Sequence, residues 1–107
     1  MKIALAQFDA RLGDIAGICS RIERQARLAA DQSVDLLCVP APLLCGVVPG
    51  VLTESAAFQG DVLAALSETA HRLSDIDITC LIPLVVPYDG GSLFEVMIAG
   101  EGRLAPV

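Results

Sequence analysis

The sequence predicts a single α/β domain with the element order β-α-β-α-β-β, and three observations carry that reading. Short apolar runs recur at residues 2–8, 34–39, 78–82 and 93–99, each bounded by turn-forming residues. Between the first three runs, apolar residues fall at helical rather than alternating spacing. The chain has 107 residues, 54% hydrophobic and 19% charged, which suits one domain with a modest core and excludes a disordered chain.

The first element, Lys2 to Phe8, reads as a strand, and Asp9 to Gly17 as a loop with a Gly13-Asp14 turn. A helix is expected from about Ile18, because Ile15, Cys19, Ile22, Ala26 and Ala29 draw one apolar stripe. Arg21, Arg24 and Arg27 lie off that stripe and are expected to meet water rather than an anion. Val34-Asp35-Leu36-Leu37-Cys38-Val39 is a second strand, ended by Pro40-Ala41-Pro42. A long loop over 43–57 follows, rich in Gly, Pro and small residues.

A second helix is predicted over 57–73, with Phe58, Val62, Leu66, Ala70 and Leu73 as its stripe and His71 facing solvent. Ile78 to Ile82 is a third strand that can run past Pro83 to Val86. Asp89-Gly90-Gly91 is a hairpin signal, Leu93 to Ala99 a fourth strand, and Glu101-Gly102 a further turn. Arg103 to Val107 begins one more element.

Charge and composition narrow the function classes. The net charge is −6, and the second half of the chain carries all of it, which reads as a solvated acidic surface. With that charge, and with only Phe8, Phe58, Tyr88 and Phe94 as aromatics, no nucleic-acid partner is expected. The uncharged stretch 36–52 is interrupted by Pro40, Pro42, Gly46, Pro49 and Gly50, so no membrane span is expected there. Cys19, Cys38, Cys45 and Cys80 show no CxxC and no paired histidine, and Lys2 is not followed by a secretory apolar stretch. Reduced thiols in a cytoplasmic protein are expected, with no disulfide, metal or cofactor site.

The strands at 34–39 and 78–82 lack apolar/polar alternation, as strands buried on both faces do. Right-handed crossovers would place both helices on one face of a four-stranded sheet. The other face is then uncovered, and a homo-oligomer meeting through it is expected.

Several segments taken in order resemble the nitrilase (carbon–nitrogen hydrolase) superfamily. They are Lys2-Ile3-Ala4-Leu5-Ala6-Gln7, Gly13-Asp14-Ile15, Val34 through Pro40, Leu43-Leu44-Cys45-Gly46, Leu81-Ile82-Pro83, Leu93-Phe94 and Gly100-Glu101-Gly102-Arg103. Within the superfamily the chain is most similar to the N-terminal glutaminase domain of the glutamine-dependent NAD⁺ synthetases. The resemblance implies an α-β-β-α sandwich about twice this length, of which the chain would form the first half as a single domain, 1–107. It also implies an amide-hydrolysing chemistry with a glutamate base, an oxyanion-stabilising lysine and a cysteine nucleophile.

The chain departs from that pattern. The glutamate that follows the proline of the second strand is Ala41, and a methyl group accepts no proton. The lysine and cysteine positions fall beyond Val107, and the single lysine, Lys2, lies on the first strand. The family's loop tyrosine is Val48 and its fourth-strand asparagine is Glu95. Glu54 is too far along the loop to replace the base, and Cys45 has only His71 as a potential partner. The expectation is therefore an amidase-like domain without catalytic residues of its own, or a degenerate assembly or binding module on the same fold. A nucleotide-binding domain is disfavoured because 13–17 holds neither GxGxxG nor GK[ST].

Overall fold

The computed structural model of the chain describes residues 1–6, 15–39, 56–88 and 91–106. Strand β1 is Ile3–Leu5, helix α1 Ile15–Asp31, β2 Leu36–Cys38 and helix α2 Ala56–Arg72, which a 3-10 turn at Leu73–Asp75 extends. β3 is Thr79–Tyr88, β4 Gly91–Gly100 and β5 Arg103–Pro106. The strands form one five-stranded sheet in sequence order. β1–β2 and β2–β3 are parallel, and β3–β4 and β4–β5 antiparallel.

The expected order is thus lengthened by one strand, and the sheet has five members rather than four. The physical reason is the turn at Glu101-Gly102. Both residues have positive φ, 53° and 77°, and Gly100 pairs with Arg103, so the chain reverses in two residues and β5 lies back along β4. β3 also passes Pro83 and reaches Tyr88. Along β3 the Thr79 amide donates to the Asp35 carbonyl, and the Leu81 carbonyl accepts from the Val39 amide, so odd-numbered residues face β2. The missing donor of Pro83 therefore falls on the β2 side, just where that ladder ends, and β4 pairing is untouched. The Asp89-Gly90 expectation lies outside the described residues; the ladder on either side closes at Tyr88 with Gly91.

α1 starts three residues before the expected Ile18, and its stripe buries Ile18, Cys19, Ile22, Ala26 and Ala29. It ends in a Schellman motif: the Val34 amide donates to the Ala29 carbonyl and the Ser33 amide to that of Ala30, with Ser33 at φ 61°. α2 buries Val62, Leu66, Thr69 and Ala70, with Leu73 buried in the turn beyond. The Thr69 hydroxyl donates to the Ala65 carbonyl at 2.9 Å, which satisfies a polar group inside the core.

The helices' buried residues share one cluster with alternate strand residues: Leu37, Cys80, Ile82, Leu84, Met97 and Ala99, with Ala4 and Leu104 packed against it. The intervening strand residues behave otherwise. Ile3 is 57% exposed, Leu5 72% and Val96 40%, and Leu36, Cys38, Leu81 and Ile98 are half-buried. Period-two alternation in burial thus appears in strands whose sequence does not alternate in polarity.

Candidate functional site

The parallel strands aim the chain at one edge of the sheet. The Ala6 amide donates to the Cys38 carbonyl, and the Val39 amide to that of Leu81, each at 2.9 Å. These bonds carry the backbone out past the carboxyl ends of β1 and β2, where open α/β sheets place their ligands. Ala41, where the resemblance implies a base, is two residues further along the chain than Val39. Ala41, Cys45, Val48 and Glu54 lie outside the described residues.

The candidates that are described do not assemble there. Lys2 sits at the opposite, starting edge of the sheet. Its Nζ donates to the Gln32 carbonyl at 2.7 Å, and its backbone N–H to Oδ2 of Asp35 at 2.8 Å. That lysine fastens β1 to the end of α1. His71 is exposed in the last turn of α2, close to where β3 begins, while β2 hands on the chain at the other end. Glu95 is half-buried, opposite Leu84 in the ladder and on the helix-facing side of β4.

Among the described residues the cysteines are free: Cys19 and Cys80 are buried and Cys38 half-buried. Burial raises the Cys19 thiol above its ordinary value and pushes Cys80 up to about 11, with the Cys38 thiol adding to the rise at Cys80. Neither is activated as a nucleophile. Among the described residues no group of three or more His, Cys, Asp or Glu side chains could hold a metal ion. No helix among them is long and apolar enough to cross a membrane.

The basic face of α1 is partly engaged in a feature that sequence reasoning missed. Arg27 reaches Asp75 at 3.1 Å and Glu23 at 3.4 Å, and Arg72 reaches Glu23 at 2.8 Å and Glu68 at 3.1 Å. Arg27 also donates to the Arg72 carbonyl at 3.0 Å, which satisfies an orphan acceptor at the end of α2. Arg72 beside it, and then Arg27, hold the Glu23 carboxyl below its usual range; Arg27 does the same for Asp75. The i,i+4 spacings of Glu23–Arg27 and Glu68–Arg72 were a readable signal for half of this network.

The fold is that of the nitrilase superfamily, which the chain resembles along almost its whole length. An amidase from Nesterenkonia sp. superposes with a TM-score of 0.79 at 25% identity, covering 97% of this chain and 40% of that one. The NitN amidase from Nesterenkonia sp. AN1 gives 0.80 at 25% identity, covering 100% of this chain and 43% of its own. A glutamine-dependent NAD(+) synthetase from Cytophaga hutchinsonii gives 0.84 at 20% identity, over 95% of this chain and 17% of that one. Another structure of the AN1 protein describes it as an amidase from the nitrilase superfamily. The chain thus spans well under half of the amidases it matches. No protein-family model matches the sequence, and no curated protein does.

Proposed function

We propose that this chain forms the first half of an amide-hydrolysing, carbon–nitrogen hydrolase-like domain that lacks its general base and does not hydrolyse amides by itself. The observation that carries the reading is the match over 97% of the chain, at 25% identity, to part of an amidase. In this reading α1 and α2 form one outer layer, and the alternate burial along the strands supports that arrangement. Ala41 stands where the glutamate belongs, and the lysine and cysteine come from sequence beyond Val107. Described variants of the Nesterenkonia protein include one at which acetamide from fluoroacetamide is covalently added to the active-site cysteine.

The test is amide hydrolysis, read as ammonia release from glutamine and acetamide. The chain alone should release none. Ala41→Glu, placed in a longer product that holds a downstream lysine and cysteine, should gain activity over the same product with Ala41. Hydrolysis by the chain alone, or no gain from Ala41→Glu in a folded longer product, would overturn the reading. The exposed Ile3, Leu5 and Val96 favour a second reading, a degenerate module that serves assembly.

A further inference from the structure

No further inference is drawn: the strongest candidate, the Glu23, Arg27, Arg72 and Asp75 side-chain cluster that joins α1 to the end of α2 beside the buried Cys19 and Thr69, carries nothing further, because its charges are paired with one another and no buried side-chain nitrogen or oxygen among the described residues is left without a partner to point to a ligand.

Discussion

Arg72 in the last turn of α2 places its Nε 2.8 Å from Oε1 of Glu23 on α1, and so ties together two helices that flank β2 in the chain. Glu23 in turn holds Arg27, which reaches on to Asp75. The carboxyls of Glu23 and Asp75 are both held below their ordinary values, so the folded chain binds their protons more weakly than the unfolded chain does. Their stabilisation is fully present above the ordinary carboxylate range, about 4, and is lost as pH falls through the lowered folded values. Glu23→Gln should lower Tm slightly at pH 7 and flatten the acid limb of a Tm-against-pH curve. An unchanged acid limb would mean the network contributes nothing to folding.

Ser33 carries the left-handed conformation that closes the Schellman motif after α1. Glycine adopts it without the Cβ penalty. Ser33→Gly is expected to stabilise the chain by about 0.5–1 kcal/mol, offset in part by the freer unfolded chain. Urea midpoints of the two proteins measure this.

Gly102 is constrained twice. Its φ is 77°, and a Cβ built on it would approach the Cβ of Ser74 to 3.1 Å. Gly102→Ala should destabilise by about 1–2 kcal/mol and loosen the β4–β5 end of the sheet. Hydrogen exchange at the Arg103 to Ala105 amides should quicken in the variant.

Leu66 has no exposed surface and lies where α2 meets the sheet. Leu66→Ala removes apolar contact and leaves a void, which costs about 2–5 kcal/mol. For a small domain this is a large part of the total stability. Chemical denaturation should show it as a lower midpoint with little change in slope.

Cys19 and Cys80 are buried thiols with raised ionisation, whereas Cys38 is half-buried. In the native monomer at pH 8, alkylation should mark Cys38 well before either of them, and denaturant should abolish the difference. The sign in alkali follows. The unfolded thiols ionise near their ordinary value, about 8.5, while the folded ones hold their protons. Stability should therefore fall as pH rises above about 8.5 and level off only past the folded values.

Much of this architecture was legible in the sequence. Ile22, Ala26 and Ala29, and Val62, Leu66 and Ala70, sit at helical spacing, and the structure buries all of them. The burial of the strands was only half legible: runs such as Leu36-Leu37-Cys38 are apolar on both sides of the pleat, yet the structure buries Leu37 and leaves Leu36 and Cys38 half-buried. β5 was foreseen only as the start of one more element, because Arg103-Leu104-Ala105-Pro106 has no strand signature of its own; pairing with β4 makes it a strand. The Glu23–Arg72 contact spans 49 residues of sequence, and no local pattern encodes it. For the candidate site, the expectation at Ala41 lies outside the described residues, and Lys2 is engaged with the Gln32 carbonyl at the start of the sheet.

The sheet is stitched unequally. β3 and β4 share nine paired positions formed between near neighbours in the chain, while β1 holds β2 by three pairs that must be closed across some thirty residues. Non-local pairings are slow to form and, when short and at an edge, are the first to open. The hairpin is thus the natural seed of folding, and the amino-terminal strand the last to dock and the earliest to fray.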